Sequence, residues 1–388
     1  MGSGCTKKGS IAVDPTVVTT VEDVVTTNQI PEYTGFTIIP DTATKTLIEV
    51  LKLDKTISTE AENNDADGDF NHSIDCFCVL ADASRIFTAG KKTAEAKNTI
   101  NVWDVATGTC VSTMYREGHA DCVQSICTSS DGSRCFSGSS DNTIKVWDVA
   151  TGDCLQTLEG HAKSVYSVCV SLDGSRCFSG DSNGVIKVWD VTTGTCVQTL
   201  EGHEEEAITS LCMSAGGRLF SGSGDHTIKE WDLDTSTCVQ TMEACEYPCE
   251  PHSTSGHTND VTSVCVSVDG RCFSGSSDNT IKVWDVATGA CVQTLEGCAR
   301  PVFSVYVTED GSTCFSGSGD NTIKVWNVAT GACMQTLEGN GNSACDVMCV
   351  SADRSKLFSQ TDEKTITIWS IIETSRHSNG VIKLKNGS

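Results

Sequence analysis

Serine, histidine and aspartate recur together along the chain at positions that could support nucleophilic catalysis. Three such groups are complete, and each includes a tryptophan: His119, Ser137, Asp141 and Trp147; His203, Ser221, Asp225 and Trp231; His257, Ser274, Asp278 and Trp284. In a hydrolase the serine attacks, the histidine takes its proton and the aspartate orients the histidine. An enzyme needs one such nucleophile in a cleft, whereas here the same trio repeats beside a tryptophan. We therefore predict that the chain is not an enzyme.

An acidic stretch, Asn63 to Asp75, could bind calcium. Its sequence NNDADGDFNHSID places Asn63, Asp65 and Asp67 at alternate positions, as at the start of an EF-hand loop; Gly68 would permit the turn, and Asp69 follows it. The twelfth position is Ile74, however, where a bidentate glutamate is needed. A solvated acidic loop is the favoured interpretation. These aspartates are weak metal candidates, and we predict no cofactor.

A second pattern with metal-ligand chemistry lies in the insert from Glu243 to Gly256 and just after it. Its potential ligands are Cys245, Cys249, His252 and His257, and thiolate and imidazole groups at such spacing can hold zinc. His257 already belongs to one of the repeated groups, which would leave three ligands. An exposed binding loop is therefore the favoured interpretation.

The first residues, MGSGCTKK, fit the pattern for N-terminal myristoylation. Gly2 is the acceptor, Thr6 occupies the required position, and Cys5 is placed for a second acyl chain. One myristoyl chain anchors weakly, so the neighbouring thiol and the two lysines that follow Thr6 make stable anchoring plausible. The competing interpretation is a cloning scar or a chance match. The sequence thus predicts a lipid-anchored cytoplasmic protein on a membrane surface.

All of the recurring groups occupy fixed places in a repeated unit. Its clearest copy is SSDNTIKVWDVATG, Ser139 to Gly152. The seven tryptophans mark the repeat at intervals of 42 to 44 residues, apart from one interval of 53: Trp103, Trp147, Trp189, Trp231, Trp284, Trp326 and Trp369. Alternating apolar residues in TIKVW predict a half-buried strand, and the flanking DN and ATG segments predict turns. Each unit contains four such strand patterns.

Four short strands per unit, with GH before the first and WD closing the third, resemble the WD-repeat (WD40) family of β-propellers. The resemblance covers roughly residues 70 to 370. It implies an all-β, seven-bladed propeller over residues 46–388, preceded by an extended arm over residues 1–45. It also implies that one terminus supplies a strand to the last blade. Thr46 to Leu53 and Val381 to Lys385 are the two candidates, and the sequence leaves the choice open.

The resemblance further implies a structural hydrogen-bond chain in each blade, which joins the Trp, Ser, His and Asp. Besides the three complete groups, this assigns His161, Ser179 and Trp189 to the third blade. Some blades depart from the pattern. Asn183 takes the place of the Asp in blade three, and Cys298 takes the place of the His in blade six. Blade seven has Asn340 in place of the His and a shifted Asp362, and blade one lacks the Asp. We expect these blades to be less rigid.

Composition excludes several classes of partner. The formal net charge of −24 opposes binding to nucleic acid and general attraction to anionic lipid. No stretch reaches the length of a membrane span, and the start lacks the apolar core of a signal peptide. Most of the 23 cysteines follow the repeat. Equivalent positions lie far apart in a ring, so we interpret them as small buried thiols in a reducing compartment.

Irregular segments concentrate on one face of the propeller. This face carries the loops from strand two to strand three and the connections from each unit to the next. Loops on a rigid scaffold carry function, so we predict that a protein or peptide binds this face. The candidate contacts are Tyr166, Phe303, Lys163, Arg300, Gln124, Asp260 and Glu205. The alternative is that the aromatic rings of Tyr166 and Phe303 only fill the mouth of the central channel. The predicted function is a scaffold, a monomeric propeller within a larger complex. The alternative is a calcium- or metal-responsive sensor.

Overall fold

The computed structural model describes residues 51–58, 74–90, 98–243, 256–308, 310–338, 347–351, 355–362 and 364–371. All regular elements among these residues are β-strands. Within this part of the chain, no helix has the length and apolar character needed to cross a membrane.

The strands follow one another at the short spacing that the repeat predicts. The first half of the chain contains β1 (Leu51–Ser58), β2 (Cys76–Val79), β3 (Arg85–Ala89), β4 (Asn98–Asp104), β5 (Cys110–His119), β6 (Val123–Thr128), β7 (Arg134–Ser139), β8 (Ile144–Asp148), β9 (Cys154–Leu158), β10 (Val165–Val170), β11 (Arg176–Asp181), β12 (Ile186–Asp190) and β13 (Cys196–Leu200). The second half contains β14 (Ile208–Met213), β15 (Leu219–Ser223), β16 (Ile228–Asp232), β17 (Thr237–Met242), β18 (Val261–Val266), β19 (Arg271–Ser276), β20 (Ile281–Asp285), β21 (Cys291–Leu295), β22 (Val302–Val307), β23 (Thr313–Ser318), β24 (Thr322–Asn327), β25 (Ala332–Glu338), β26 (Met348–Val350), β27 (Lys356–Asp362) and β28 (Thr365–Ile371).

These strands form seven antiparallel sheets of four strands each, which are the blades. Blades 1 to 6 take four consecutive strands in order, from β2–β5 to β22–β25, and blade 7 has the order β26-β27-β28-β1. We name the strands of each blade a to d in that order. The a strands contact one another in sequence from β2 through β6, β10, β14, β18 and β22 to β26, and β26 contacts β2. The seven-bladed ring is therefore closed.

The core lies between the blades rather than within them. One buried cluster, for example, joins Phe136 and Val146 of blade 2 to Val165, Val168 and Trp189 of blade 3. Strand c was predicted to be half-buried. In blade 2, Ile144 to Trp147 are all buried, because neighbouring blades cover both faces of the sheet, whereas the lysine of this strand stays half-buried in blades 3, 4 and 6. Such burial between sheets provides most of the stability of the fold.

Neighbouring blades pack closely against a glycine in strand b. A Cβ atom at Gly180 would lie 2.3 Å from Cγ2 of Ile208 in the next blade, and one at Gly138 would lie 2.7 Å from Cγ1 of Val165. Any larger side chain would push the two blades apart. The SG pair of blades 2 to 5 therefore has a packing role that the sequence pattern alone did not reveal.

The N-terminal candidate closes the ring, and its strand continues five residues beyond the predicted end. Strand β1 pairs with β28 over Leu51–Ser58, with an irregularity at Asp54, and the first part of the predicted segment, residues 46–50, lies outside the described residues. This register buries Ile57 opposite Ile366 and lets Lys55 Nζ donate to the carbonyls of Val105 (3.0 Å) and Ala106 (2.7 Å) in blade 1. Both contacts lie downstream of the predicted segment. The C-terminal candidate, Val381 to Lys385, lies outside the described residues.

Candidate functional site

Because neighbouring strands in each blade are antiparallel, their connections emerge alternately on the two faces of the propeller. The turns between strands a and b and between strands c and d emerge on one side, which we name the turn face. The b–c loops and the connections from strand d to the next strand a emerge on the other side, which we name the loop face. The sequence-predicted contacts belong to the loop face.

Four blades contain a complete Trp–Ser–His–Asp hydrogen-bond chain beneath the loop face. In blade 2, Trp147 Nε1 donates to Ser137 Oγ at 2.8 Å, Ser137 Oγ lies 2.8 Å from His119 Nε2, and His119 Nδ1 lies 2.9 Å from Asp141 Oδ2. The corresponding groups in blades 4 and 5 have distances of 2.6 to 2.8 Å. Because tryptophan can only donate, the serine hydroxyl donates to Nε2 and the histidine donates from Nδ1 to the carboxylate.

The bonding order matches that of a catalytic triad, but the serine cannot serve as a nucleophile. The Ser137, Ser221 and Ser274 residues are all fully buried, and each hydroxyl also accepts a hydrogen bond from a tryptophan. A substrate has no route to the oxygen. Burial opposes ionisation of the aspartates, yet the hydrogen bonds from histidine and threonine hold the pKa of Asp141, Asp225 and Asp278 well below its usual value. The trio therefore acts as a scaffold.

Blade 3 overturns the prediction that Asn183 replaces the aspartate. Asp181, two residues earlier and at the end of β11, places Oδ2 2.9 Å from His161 Nδ1, while Ser179 Oγ lies 2.6 Å from Nε2 and 2.7 Å from Trp189 Nε1. The other carboxylate oxygen of Asp181 accepts from the backbone N–H groups of Asn183 and Val185. The carboxylate thus reaches the same place from a different position, and the hydrogen-bond chain of this blade is complete.

In the other blades that depart from the pattern, the tryptophan still donates a hydrogen bond to a side-chain hydroxyl, but the histidine or aspartate of the group is replaced or absent. In blade 6, Trp326 Nε1 donates to Ser316 (2.9 Å) and Cys298 fills the histidine position, where burial raises its pKa to about 11. In blade 1, Trp103 Nε1 donates to Thr88 at 2.9 Å. Asn340 and the side chain of Asp362 lie outside the described residues. That blades 1, 6 and 7 are less rigid stays a prediction.

Two of the predicted contacts in blade 3 are exposed on the loop face. Tyr166 is 39% exposed, and Lys163 on the connection before it is exposed as well. Arg300 is exposed in blade 6, whereas Phe303 is half-buried, because its ring rests on Gly319: a Cβ atom there would lie 3.0 Å from Phe303 Cε2. Phe303 therefore has a packing role in addition to any contact with a partner.

The remaining predicted contacts have partners within the chain or are simply exposed. Gln124 Nε2 donates to Ser140 Oγ at 2.8 Å, and Asp260 Oδ1 lies 3.8 Å from His226 Nε2. Glu205 is exposed, with a left-handed backbone φ of 51°. Gln124 thus supports its own blade, whereas Asp260 and Glu205 contribute negative charge to the surface.

Sequence reasoning missed a threonine contact between neighbouring blades. At the position of Tyr166, blades 4 and 5 carry Thr209 and Thr262, whose hydroxyls donate to the carbonyls of Val261 and Val302 in the following blade. A threonine in place of an aromatic residue at this position was the available signal. Only some of the seven positions are therefore free to vary for binding.

A buried acid in blade 4 was also missed. Glu230 occupies the strand c position that holds Val146, Val188, Val283 and Val325 in other blades, and its side chain is 11% exposed. Arg218 Nη1 lies 3.8 Å from Glu230 Oε1 and 3.4 Å from Asp232 Oδ2. Burial, with a smaller effect of Asp232, raises the pKa of Glu230 despite the arginine. The signal was IKEWD in place of IKVWD.

We expect Glu230→Val to stabilise the propeller by about 1–2 kcal/mol at pH 7, because a valine of the type found in the other blades replaces a buried charge. Protonation of Glu230 removes the cost of that charge, so the gain should shrink as the pH falls towards 4.5, the usual pKa of glutamate. Urea unfolding of both proteins at the two pH values measures the difference. Glu230→Gln is the control for size, and a loss of stability in Glu230→Val at pH 7 would contradict the prediction.

Neither metal candidate gains support from the described residues. Asp65, Asp67, Asp69, Cys245, Cys249 and His252 lie outside them, and His257 uses both ring nitrogens in its hydrogen-bond chain. Among the residues that the structure describes, no cluster of His, Cys, Asp or Glu has the geometry to hold a metal ion.

The cysteines divide into buried and exposed sets, which corrects the prediction that they are generally buried. Cys135, Cys177, Cys272 and Cys314 in strand b are fully buried, and burial raises the pKa of Cys177 to about 12. Those at the start of strand d are not: Cys110, Cys196, Cys238 and Cys333 are exposed. Strand d is the outer edge of each blade, so only one of its faces is covered by a neighbour.

Comparison with known proteins identifies the repeat. A family model described as "WD domain, G-beta repeat" matches residues 108–148, 152–190, 194–232, 249–285 and 289–327, together about half of the chain. Four of these segments begin at strand d of one blade and end with strand c of the next, so the sequence repeat is offset from the blade. This offset explains why the ring needs β1 as its last strand.

Similar curated proteins match only a short segment. The "Ribosome biogenesis protein BOP1 homolog" of Drosophila melanogaster is 43% identical over 67 residues, which is 15% of this chain and 8% of that protein. The homologue of Drosophila willistoni is 50% identical over 42 residues, 11% of this chain and 5% of that protein. The chain therefore spans less than a tenth of the length of these relatives.

Proposed function

The chain belongs to the WD40 repeat family, and from this premise we propose that it is a non-enzymatic scaffold that holds a protein or peptide partner on its loop face. The propeller would act as a single unit within a larger complex. Rigid blades favour this role, because a preformed surface loses little conformational entropy on binding. The four complete Trp–Ser–His–Asp chains supply that rigidity beneath the loop face.

The exposure of Tyr166 is the observation that carries the proposal. At the equivalent position, Thr209 and Thr262 are used to join neighbouring blades, whereas the Tyr166 ring is 39% exposed beside an exposed lysine. Exposed aromatic residues next to a cationic side chain are typical of binding hot spots. Tyr166 is therefore the first candidate anchor, and Phe303, which is partly covered by its own blade, is the second.

Charge on the loop face favours a partner with basic segments. Glu204, Glu205 and Glu206 are consecutive and exposed before β14, and the side chain of Asp260 before β18 is 52% exposed. Such a surface attracts lysine and arginine over a distance and increases the rate of association. Nucleic acid would be repelled by the same charges and by the net charge of the chain.

We expect Tyr166→Ala to weaken partner binding by roughly 10-fold or more, because hot-spot aromatic residues contribute about 2 kcal/mol or more. Crosslinked co-purification from cells, quantified by mass spectrometry, compares the wild type with Tyr166→Ala and with the Tyr166→Ala, Phe303→Ala double variant. Val197→Ser removes a similarly exposed apolar side chain from the outer edge of blade 3 and serves as the control. Identical partner lists for all proteins would refute the assignment of the loop face.

We further propose that acylation of Gly2, supported by Cys5, tethers this scaffold to the cytoplasmic side of a membrane. The support comes from the sequence MGSGCTKK, since these residues lie outside the described part of the structure. Gly2→Ala should move the protein from the membrane fraction to the soluble fraction, and Cys5→Ser should weaken the attachment. Unchanged partitioning of the Gly2→Ala variant in cell fractionation would rule out the tether.

A further inference from the structure

The outer strand of four blades carries an exposed thiol that takes no part in the Trp–Ser–His–Asp chains. Cys110 lies at the start of strand d in blade 1, and Cys196, Cys238 and Cys333 lie at the same place in blades 3, 4 and 6. Each sulfur is 3.2 to 3.4 Å from the carbonyl oxygen two residues later and 3.5 to 4.0 Å from the Oγ1 atom of a threonine three residues later. The four thiols are therefore alike in exposure and in these two contacts.

A lysine from strand c reaches the threonine beside three of these thiols. Lys187 Nζ donates to Thr199 Oγ1 at 3.1 Å, next to Cys196, and blades 4 and 6 have the same contact at 3.1 and 3.4 Å. Because an ammonium group can only donate, the threonine oxygen is the acceptor, and its own proton is available to the sulfur. We name these sets the Lys–Thr–Cys groups: Lys187, Thr199 and Cys196; Lys229, Thr241 and Cys238; Lys324, Thr336 and Cys333.

Blade 1 has the exposed thiol and the threonine but not the lysine. Asn101 pairs with Thr113 across strands c and d, as Lys187 pairs with Thr199 in blade 3. Thr113 Oγ1 donates to Asn101 Oδ1 at 3.0 Å, so its proton is already used and cannot reach the sulfur of Cys110. Cys110 therefore provides a comparison within the same molecule, in which the cation and the free hydroxyl proton are both missing.

Acidic residues near the thiols do not neutralise these lysines. In the described part of the chain, each ammonium group meets a neutral hydroxyl rather than a carboxylate within ion-pair distance. The c–d turns carry acids in blade 1 as well as in blades 3 and 4, and a glutamate follows each Lys–Thr–Cys group: Asp104, Asp190, Asp232 and Asp234; Glu201, Glu243 and Glu338. Blade 6 has Asn327 in its turn, although Lys324 also interacts with Asp320. Cys333 therefore has the least negative charge in the turn before it.

We propose that the Lys–Thr–Cys groups are sites of thiol–disulfide exchange with a small disulfide that carries carboxylates, such as glutathione disulfide. The cysteine sulfur, as a thiolate, attacks one sulfur of the disulfide; a new S–S bond to the protein forms, the original S–S bond breaks, and one half leaves as a thiolate. The cysteine is oxidised, the departing half is reduced, and the proton of the cysteine passes to solvent. The threonine hydroxyl donates to the reacting sulfur, and the lysine attracts the carboxylates to a chain whose net charge of −24 otherwise repels them.

Incubation of the reduced full chain with glutathione disulfide tests the proposal, with acid quenching and location of the mixed disulfides by peptide mass spectrometry. We expect the cysteines of the three Lys–Thr–Cys groups to react at least roughly 3-fold faster than Cys110, because a local cation raises the concentration of an anionic reagent. Cys333 should be the fastest, and the fully buried Cys177 should stay unmodified. Asn101→Lys supplies the missing cation in blade 1 and should raise the rate at Cys110 by a similar factor.

Two variants of blade 3 separate the roles of the lysine and the threonine. Lys187→Met and Thr199→Val, which keeps the branched shape, should each slow the reaction at Cys196 and leave Cys333 of blade 6 unchanged as an internal reference. Equal rates at Cys110 and the three grouped cysteines in the wild type, or an unchanged rate at Cys196 in both variants, would overturn the proposal. The uncharged hydroxyethyl disulfide should discriminate less between the sites, and equal discrimination by both reagents would refute the recognition of carboxylates. These thiols lie on outer strands, so no outcome affects the partner test of Tyr166.

Discussion

Replacing Ile57 by aspartate should destabilise the propeller by at least about 3 kcal/mol, because the substitution leaves an unpaired charge in an apolar cluster. Ile57 is 2% exposed and packs in the cluster that contains Ile366 and Ile368 of blade 7 and Ile86 of blade 1. Strand β1 is the outer strand of blade 7 and pairs with β28. Its release would leave β28 as an open edge and free Lys55 from blade 1.

Circular dichroism melts provide the measurement. A loss of this size lowers the melting temperature by roughly 5–10 °C in a domain of several hundred residues. Thr56→Asp is the matched control, because Thr56 is exposed on the same strand and should tolerate the same charge within about 0.5 kcal/mol. If both variants melt together at the wild-type temperature, β1 does not close the ring in solution.

The architecture could be predicted because it depends on a pattern that repeats seven times. Tryptophan spacing gave the number of blades, and the alternation of apolar residues gave the strands. The closing strand was harder, because it has no copy elsewhere in the chain. Its true register depends on the fit of Ile57 and Lys55 to blades 7 and 1, and such long-range contacts are not encoded in the local alternation.

Predictions based on burial failed where neighbouring blades decide the environment. Strand c was expected to have one exposed face, yet in blade 2 both of its faces are covered, and the cysteines of strand d were expected to be buried, yet four of them are exposed. In a ring of sheets the inner strands are covered on both faces, whereas the outer strand remains partly exposed. The local sequence of a strand specifies its two faces but not how many of them a neighbour covers.

Site residues at repeated positions could be assigned from the sequence, whereas those whose role depends on neighbouring atoms could not. His119, Ser137 and Asp141 were assigned correctly because all three occupy repeated positions. Tyr166 and Phe303 look equivalent in the sequence, yet only Phe303 rests on a glycine of its own blade. Glu230 was visible as a departure from the repeat, but its meaning depends on which atoms surround it.

Asp181 shows how a departure can be compensated nearby. In other blades the aspartate lies in the b–c loop, where its Oδ1 accepts from a threonine two residues later. In blade 3 the aspartate lies at the end of strand b, and its Oδ1 accepts instead from the N–H groups of Asn183 and Val185. Two backbone N–H groups thus hold the carboxylate in blade 3, where the other blades use the N–H and the hydroxyl of one threonine. Position in the repeat was a misleading guide, because the hydrogen-bond geometry at His161 can be satisfied from two places.

We therefore expect Asp181→Ala to cost about 2–3 kcal/mol, since it leaves the buried Nδ1–H of His161 and two backbone donors without their acceptor. Asn183→Ala, at the position where the repeat predicts the aspartate, should cost less than about 0.5 kcal/mol, because Asn183 contributes its backbone N–H, which alanine retains. Urea unfolding of both variants, with Asp225→Ala of blade 4 as the reference, makes the comparison. The opposite ranking of Asp181→Ala and Asn183→Ala would restore the original assignment, and equal losses in Asp181→Ala and Asp225→Ala would establish that the fold accepts either position of the carboxylate.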